Sequence, residues 1–434
     1  MRMEDMILVS VDDHVVEPAD MFDGRVQRKY MDQVPRLIHK QDGTDVWSYQ
    51  GVELPNVAMN AVAGRVPEEY GYEPTALAEI RPGCYDIHAR VKDMNANGVL
   101  ASMNFPSFPQ FCGQLFMRTA DKDVAAEMVR AYNDWHIDYW AATYPGRIIP
   151  VALPMLWDGE LCAAEVRRVA AKGCRGITFS ENPAKLGLPS LHSDHWEPLW
   201  RACEEEGVIV MMHIGSSSEK QITALDAPPD VSIVIGPVSI IKCASDLLYS
   251  PVLRKHPNLK VALSEGGIGW LPYFLERVDY VFDHHHGWTG ADFGGRNPSD
   301  VFHDQVITCF IKDSFGLEVR SHLNMDLMTW ESDYPHSDST WPFSPEILHE
   351  AVADLSDEDI NKVTHENALR LWQFDPFAHI PKAQATVGAL RSQVKDWDIS
   401  TRATAVVQHD EKMLTAGAIN AMADKFLRSE PISS

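Results

Sequence analysis

The sequence predicts an α/β protein, a distorted (β/α)8 TIM barrel with an insertion after its first strand and a helical C-terminal extension. Short apolar segments recur along the chain, and helical patterns lie between most of them. Continuous apolar segments suit strands buried on both faces, as in parallel sheets. Eight such segments favour a barrel over a doubly wound open sheet, and no G-x-G-x-x-G motif follows the first one. The predicted strands are ILVSVD (7–12), VLASMN (99–104), IIPVAL (148–153), GITFS (176–180), VIVMMHI (208–214), KVALSE (260–265), QVITCFI (305–311) and LMTWES (327–332).

Helical patterns occupy the intervals between these strands. The spacing of apolar residues predicts helices over 123–145, 160–173 and 195–207. Gly173 and Gly207 end two of them just before the next strand, and glycine is the usual residue at a helix C-terminus. The alternation of helix and strand therefore continues through the middle of the chain.

Two regions exceed a minimal barrel. Residues 18–98 separate the first two strands and include a predicted hairpin at 46–57, which we expect to cover the barrel mouth. We assign residues 1–378 to the barrel domain and 379–434 to a helical extension with helices near 382–397 and 411–429. This extension is predicted to pack on a neighbouring subunit, and a partly ordered tail is the alternative.

Composition narrows the classes of function. The chain has 434 residues and a formal net charge of −24, and so acidic a surface repels phosphate backbones and anionic lipids. We therefore expect neither a nucleic-acid nor a membrane partner. The N-terminus lacks the apolar region of a signal peptide, no apolar run approaches the roughly 20 residues that span a bilayer, and the seven cysteines are scattered. These features predict a reduced, cytoplasmic protein.

Acidic and imidazole side chains end several predicted strands. Asp12 and His14 end the first strand, His213 the fifth, Glu265 the sixth, and Asp333 follows the eighth. Catalytic groups of barrel enzymes lie at the carboxyl ends of the strands, and burying such groups unpaired is costly.

Four of these residues form a predicted metal site. Asp12 and His14 are two apart on an extended segment and point to one face, where we expect His213 and Asp333 to meet them. This mixture of nitrogen and oxygen ligands suits one divalent ion, Zn²⁺, Mn²⁺, Fe²⁺ or Co²⁺. A single D-x-H motif or a lone strand-end histidine is weak evidence for a metal, since each is common as a structural feature. The convergence of such residues from three strands is stronger evidence.

Further candidates surround this site. Asn104, which ends the second strand, Phe105, which follows it, and Trp341 are predicted to contact the substrate, together with other aromatic residues of the 105–111 segment. Glu17 is predicted to orient a metal ligand, with a salt bridge that closes the loop as the alternative. The run His284-His285-His286 is interpreted as a surface loop or subunit contact, because adjacent side chains diverge.

Five segments resemble the amidohydrolase superfamily, in the branch with aminocarboxymuconate semialdehyde decarboxylase and the resorcylate decarboxylases. They occur in family order between residue 7 and about residue 375. The resemblance implies a distorted (β/α)8 barrel with a mononuclear metal site. The segments are VDDHVVEP (11–18), MMHIGSS (211–217), LSEGGIGWLPYFLERVD (263–279), WESDYPHSDSTWP (330–342) and HENALRLW (365–372).

The resemblance also implies the site residues, with two departures from the family pattern. The H-x-H or E-x-H motif of the first strand falls on Asp12 and His14, so that an Asp replaces the first His or Glu. The histidine of the sixth strand, which handles proton transfer in the decarboxylases, corresponds to Glu265 here. That replacement argues against decarboxylation.

We therefore expect a metal-dependent hydrolase that cleaves an amide, lactone or C–C bond of a small, cyclic or aromatic molecule with metal-activated water. Glu265 or Asp333 would accept the proton of that water, and His336 would contact the oxyanion or the leaving group. Non-oxidative decarboxylation of an aromatic or unsaturated acid is the alternative. A hydratase and a non-catalytic metal-binding protein are further alternatives. The family and the tail predict a homodimer or a larger homo-oligomer.

Overall fold

The structure, a computed structural model, describes residues 1–55, 58, 60–71, 74–403 and 415. Within these residues the strands are β1 (Leu8–Val15), β2 (Arg36–His39), β3 (Asp45–Tyr49), β4 (Val52–Leu54), β5 (Val99–Pro106), β6 (Ile148–Ile149), β7 (Gly176–Ser180), β8 (Ile209–His213), β9 (Val261–Ser264), β10 (Val306–Phe310) and β11 (Met328–Trp330). The helices are α1 (Ile87–Ala96), α2 (Gln114–Met117), α3 (Lys122–Trp135), α4 (Gly159–Ala171), α5 (Glu197–Glu206), α6 (Pro229–Ile235), α7 (Val238–Tyr249), α8 (Val252–Lys255), α9 (Leu271–Thr289), α10 (Pro298–Gln305), α11 (Ser314–Glu318), α12 (Ser344–Ala351), α13 (Asp357–Asn361), α14 (Asn367–Leu371) and α15 (Val387–Ser392).

The eight predicted strands are all present and run parallel. They form two sheets, in the orders β1-β5-β6 and β11-β10-β9-β8-β7. The first seam between the sheets lies beyond the short strand β6. There the Ala152 N–H donates to the Gly176 carbonyl and the Thr178 N–H donates to the Ala152 carbonyl, both at 3.0 Å. These bonds join the first sheet to β7.

The second seam joins the last strand to the first. The Asp333 N–H donates to the Asp12 carbonyl at 2.8 Å, and the His14 N–H donates to the Tyr334 carbonyl at 2.7 Å. With both seams bonded, the strands form a closed ring, and the predicted (β/α)8 barrel is confirmed. The ring is irregular because the β1–β5 register shifts between Ser10 and Asp13.

Strand register brings the carboxyl ends to one rim. Ser180 of β7 lies beside His213 of β8, which lies beside Ser264 of β9. On the other sheet Asp13 of β1 lies beside Asn104 of β5. Residues that directly follow the strands therefore meet at the same end of the barrel.

The three predicted helices are confirmed as α3, α4 and α5, with one change of geometry. The Asp121 side chain accepts hydrogen bonds from the N–H groups of Asp123 and Val124 and so caps α3. The predicted helix 123–145 continues beyond α3 as a π-helix over His136–Ala141. Gly207 ends α5 with φ 61°, a left-handed conformation that favours glycine.

The insertion after β1 contains the predicted hairpin. β3 and β4 pair antiparallel, and β2 pairs with the other edge of β3, while residues 56 and 57 of the predicted hairpin lie outside the described residues. Trp47 of β3 is buried, with its ring centroid 4.3 Å from that of Phe108. The hairpin thus packs on the loop that follows β5, at the carboxyl end of the barrel.

The C-terminal segment folds back onto the barrel as far as it is described. The Val387 N–H of α15 donates to the Met6 carbonyl at 2.9 Å, and the Trp397 indole donates to Asp93 Oδ1 at 2.7 Å. The second predicted helix, 411–429, lies outside the described residues except for Thr415. The division into domains at residue 378 stays a prediction.

One helical span is longer and more apolar than the sequence predicted. Pro229–Tyr249, which comprises α6 and α7, is long and apolar enough to cross a membrane, with a mean hydropathy of 1.7. About a third of the apolar window is buried, and core helices of soluble proteins pass the same test. Length and composition alone therefore do not assign this span to a membrane.

Candidate active site

The four predicted metal ligands meet at the carboxyl rim of the barrel. His213 Nε2 lies 3.2 Å from Asp12 Oδ2, and His14 Nε2 lies 3.3 Å from Asp333 Oδ1 and 3.5 Å from Asp12 Oδ1. All four side chains are buried. The strand ends predicted from the sequence therefore converge as expected.

The unsatisfied atoms of this cluster fit a cation. Both carboxylate oxygens of Asp12 and of Asp333 are buried, and they have no partner with hydrogen-bond geometry among the described residues. The Nε2 atoms of His14 and His213 face each other at 3.3 Å. A divalent ion between these atoms would satisfy the carboxylates and both imidazole lone pairs, and mixed nitrogen and oxygen donors suit Zn²⁺, Mn²⁺, Fe²⁺ or Co²⁺.

The charges of the cluster are strongly perturbed. Burial, with the nearby Asp333 and Asp13, raises the pKa of Asp12 well above its usual value. Burial, with His336, lowers the pKa of His14 well below its usual value. Burial also acts to raise the pKa of Asp333, but His336 and His14 outweigh it and lower that pKa. These shifts favour an ionised Asp333 and a neutral His14, the protonation states of metal ligands, and a protonated Asp12, which would release its proton on binding an ion.

Neighbouring groups hold the imidazole of His213 in place. Its Nδ1 lies 2.6 Å from the Ile214 carbonyl, and an N–H donated there leaves the Nε2 lone pair facing the cluster. Phe111 stacks on the ring at 4.5 Å with an interplanar angle of 14°, and Phe105 lies 4.9 Å away. The predicted substrate residue Phe105 therefore lies at the site, and the two phenyl rings form an apolar wall against the imidazole.

Glu265 and His336 also lie at the cluster. Glu265 Oε2 is 3.6 Å from His213 Nε2, and this side chain is 18% exposed while the four predicted ligands are buried. Burial, with Asp333, raises the pKa of Glu265 well above its usual value. His336 Nδ1 lies 3.0 Å from Asp333 Oδ1, and its ring stacks on that of His14 at 3.7 Å.

Backbone strain concentrates at this end of the barrel. Glu265 and Asp333 both adopt left-handed conformations, with φ of 61° and 55°. Such conformations cost on the order of 1–3 kcal/mol and persist where the surroundings impose them. Two hydrogen bonds hold these conformations. The Asp333 N–H donates to the Asp12 carbonyl, and the Glu265 N–H donates to the Glu331 carboxylate at 3.2 Å.

Asn104 has a different role from the predicted substrate contact. Its amide Nδ2 donates to Ser102 Oγ at 2.9 Å, and its Oδ1 accepts the Trp140 indole N–H at 2.7 Å. The His136 imidazole bonds its carbonyl oxygen. The side chain is buried and its amide already has partners, so it fixes the end of β5 instead of facing a ligand.

Trp341 and Glu17 also differ from their predicted roles. The Trp341 indole lies 4.2 Å from the Arg81 guanidinium and donates to the Asp93 carbonyl at 3.1 Å, so it packs against α1. The Glu17 carboxylate accepts N–H groups of Ser107 and Phe108 at 3.0 and 2.7 Å. Glu17 thus anchors the loop after β5, and neither a predicted metal ligand nor a salt-bridge partner is among these contacts.

Two buried carboxylates were not anticipated. Glu181 directly follows β7, and its Oε1 accepts the Ser217 hydroxyl at 2.8 Å, which holds the loop after His213. Burial raises the pKa values of Glu181 and of Glu331, which supports Glu265. Glu181 carried the same strand-end signal as the predicted ligands, and Glu331 lies two residues before Asp333, so both were visible in the sequence.

The histidine run lies on a helix and not in a loop. His284, His285 and His286 belong to α9, where His284 and His286 bond the carbonyls of residues 280 and 282. The groups able to hold a metal within the described chain lie instead at the barrel rim, and they are Asp12, His14 and His213, and His14, Asp333 and His336.

The chain belongs to the amidohydrolase family, whose profile matches residues 75–374. It is therefore a metal-dependent enzyme of the amidohydrolase superfamily, and the family uses a divalent metal. No curated protein matches the sequence.

Three solved structures illustrate the fold. An amidohydrolase from Mycobacterium avium subsp. paratuberculosis K-10 has a TM-score of 0.65 at 19% identity and covers 85% of this chain and 99% of its own. A 5-carboxyvanillate decarboxylase from Sphingomonas paucimobilis has a TM-score of 0.58 at 18% identity, covering 85% and 100%. A dihydroxybenzoic acid decarboxylase from Polaromonas sp. JS666, solved with manganese and 2-nitroresorcinol, has a TM-score of 0.56 at 17% identity, covering 87% and 99%.

Proposed function

We propose that this enzyme hydrolyses an amide, lactone or activated C–C bond of a small cyclic or aromatic molecule. The observation that carries the proposal is Glu265. It is a carboxylate with a partly exposed side chain, 3.6 Å from His213 Nε2 and beside the four buried ligands. A carboxylate at the open edge of a cation site has the position of a general base for water.

Asp12, His14, His213 and Asp333 would hold the divalent ion. When bound, the ion supplies Lewis acidity to a substrate carbonyl and to a water molecule. Their burial excludes bulk water, which strengthens every electrostatic interaction at the site.

Burial raises the pKa of Glu265, and the positive charge of a bound ion would lower it again, so that Oε2 would be ionised and would accept the proton of the attacking water. The Glu265 backbone is held by Glu331, which keeps the carboxylate at the cluster. His336 Nδ1 lies 3.0 Å from Asp333 Oδ1, and its other ring nitrogen would donate a proton to the leaving group. Phe105 and Phe111, which pack on His213, would contact the ring of the substrate.

The test compares Glu265→Gln with wild-type enzyme loaded with Mn²⁺. Wild type should open lactones or cleave anilides and incorporate ¹⁸O from labelled water. Glu265→Gln should retain the metal and lose roughly 10²–10⁴-fold in kcat, the usual contribution of a general base. Glu276→Gln, at an exposed position of α9, should match wild type. An unimpaired Glu265→Gln enzyme would refute the role of Glu265.

Decarboxylation of an aromatic acid is the second candidate. Two structures that share the fold are named as decarboxylases of aromatic acids, and one contains manganese. The same activity test decides between hydrolysis and decarboxylation if hydroxybenzoates are added to the substrates and CO₂ release is measured. Release of CO₂ without ¹⁸O incorporation would favour decarboxylation over hydrolysis.

We also propose that the enzyme is a cytoplasmic homodimer or larger homo-oligomer without nucleic-acid or membrane partners. Leu225, Ile233 and Val234, in and before α6, are 68%, 65% and 77% exposed. An apolar patch of this kind is typical of a subunit interface. The seven cysteines are free and buried, which supports a reducing compartment, and the net charge of −24 disfavours binding to phosphate backbones.

A further inference from the structure

Asp93 is a buried carboxylate of α1 that joins three separate parts of the chain. Its Oδ2 accepts the Tyr334 hydroxyl at 2.6 Å, and its Oδ1 accepts the Trp397 indole N–H at 2.7 Å. The Arg81 guanidinium donates to both oxygens, at 2.6 Å to Oδ1 and at 3.3 Å to Oδ2. The carboxylate therefore links the segment before α1, the residue that follows Asp333 and the C-terminal segment.

Packing fixes this carboxylate as well. A side-chain carbon at Gly83 would collide with Asp93 Oδ2 and would lie 2.9 Å from the Tyr334 hydroxyl oxygen, so only glycine leaves room for the pair. Arg90 Nε donates to the Gly83 carbonyl at 2.5 Å, and its Nη2 donates to the His14 carbonyl. The environment of Asp93 is thus connected to the first strand of the barrel.

Tyr334 connects Asp93 to two of the predicted metal ligands. Tyr334 directly follows Asp333, and its carbonyl accepts the His14 N–H at 2.7 Å. Its own N–H donates to Asp13 Oδ1 at 3.1 Å. Because a close-packed interior transmits small displacements, a shift of the Tyr334 ring would move the main chain at both ligands.

The C-terminal segment, residues 387–402, supports the other side of Asp93. Besides the bond from Trp397, the Asp398 carbonyl of this segment accepts Arg81 Nη2 at 3.0 Å. The segment therefore holds the carboxylate directly and also holds its arginine partner. It lies beyond residue 374, where the match to the family ends, so this support is an addition to the barrel that the family shares.

We propose that Asp93 is a positioning residue for the predicted metal site and that the C-terminal segment acts on the site through it. Trp397 fixes the carboxylate. The carboxylate fixes the Tyr334 hydroxyl, and the Tyr334 main chain fixes Asp333 and His14. Groups that orient metal ligands through hydrogen bonds raise the affinity for the ion. The inference goes beyond the proposed function, because it requires the metal site alone and holds for hydrolysis and decarboxylation alike.

The test measures Co²⁺ binding to the full chain by competition with a chelator, together with the visible absorption spectrum of bound Co²⁺, which reports ligand geometry. Tyr334→Phe removes one hydroxyl and should weaken Co²⁺ binding about tenfold, the lower end for groups that orient metal ligands, with a shifted spectrum. Trp397→Phe keeps an aromatic ring but loses the indole N–H, and should give a smaller change in the same direction.

Two further variants separate positioning from general stability. Asp121→Ala removes the cap of α3, away from the site, and should lower the melting temperature while it keeps the wild-type Co²⁺ affinity and spectrum. The double variant of Tyr334→Phe and Trp397→Phe should lose less affinity than the product of the two single effects, because both changes act through Asp93.

Several results would overturn the inference. Wild-type Co²⁺ affinity and spectrum in Tyr334→Phe would exclude positioning through Asp93. An equal loss of affinity in Asp121→Ala would show that metal binding merely follows stability. Wild-type affinity in Trp397→Phe, or independent effects in the double variant, would exclude the route from the C-terminal segment. Because affinity is measured without substrate, full activity in Glu265→Gln would refute the proposed function and leave this inference standing.

Discussion

The pH dependence of stability should report on His136, which fixes the end of β5. Its imidazole is buried, bonds the Asn104 carbonyl at 3.1 Å and accepts the Val151 N–H at 3.4 Å. Burial lowers its pKa from 6.5 to about 4. The unfolded chain therefore binds a proton more readily than the folded protein. Its contribution to stability is complete above about pH 6.5 and is lost as the pH falls towards 4.

The magnitude follows from linkage. The difference between 6.5 and about 4 corresponds to roughly 3 kcal/mol once both states are protonated, because one pKa unit is worth about 1.4 kcal/mol. At pH 4.5 most of this is lost, about 2.5 kcal/mol relative to pH 7.5. Glu17 and Asp13, whose pKa values burial raises to about 7, act in the opposite direction, so the wild-type curve alone does not isolate His136.

The assay is therefore a difference measurement. Urea unfolding of wild type and His136→Gln between pH 4.5 and 7.5 removes the terms that both proteins share. Gln keeps an N–H donor for Asn104 but does not titrate, so the variant should be less stable at pH 7.5 and gain about 2.5 kcal/mol on wild type by pH 4.5. His379→Gln, at an exposed position, is the control and should run parallel to wild type. Parallel curves for His136→Gln would refute the reasoning.

Three further predictions follow from named contacts. His213→Ala should lose its bound metal, measured by elemental analysis, and its activity with it. The variant His303→Ala, away from the site, should keep both. Full metal content in His213→Ala would exclude His213 as a ligand. Asp121→Ala removes the side-chain cap of α3 and should lower the free energy of unfolding by about 1 kcal/mol, while no change in urea would contradict that cap. Val234→Asp should lower the molecular mass of the oligomer, measured by light scattering. An unchanged mass together with a loss of vesicle binding would indicate a membrane surface instead.

Much of the fold and of the predicted metal site could be read from the sequence because parallel barrels leave a simple pattern. Their strands are continuous apolar segments, and their functional groups follow directly at the carboxyl end. Asp12, His14, His213 and Asp333 met both conditions, and the closed ring brought them together. Glu181 met them as well and was overlooked, although it too follows an apolar strand.

The remaining roles depended on contacts between distant segments. Asn104 was predicted to face a substrate, but the π-helix after α3 brings His136 and Trp140 to it from more than 30 residues away. The packing of Trp341 against Arg81 of the insertion joins residues 260 apart. Neither contact has a local signal in the sequence, because the residue types alone do not specify which loop a side chain faces.

The seam between β11 and β1 has a consequence for how the enzyme acquires its ion. The Asp333 N–H bonds the Asp12 carbonyl, so the two carboxylates are brought together by the same step that closes the ring. During synthesis Asp12 and His14 come first, His213 follows about 200 residues later, and Asp333 completes the set only more than 300 residues after His14. The complete ligand set is therefore assembled only when the last strand joins the first, and a product that ends before Asp333 lacks both that carboxylate and the bond that closes the ring.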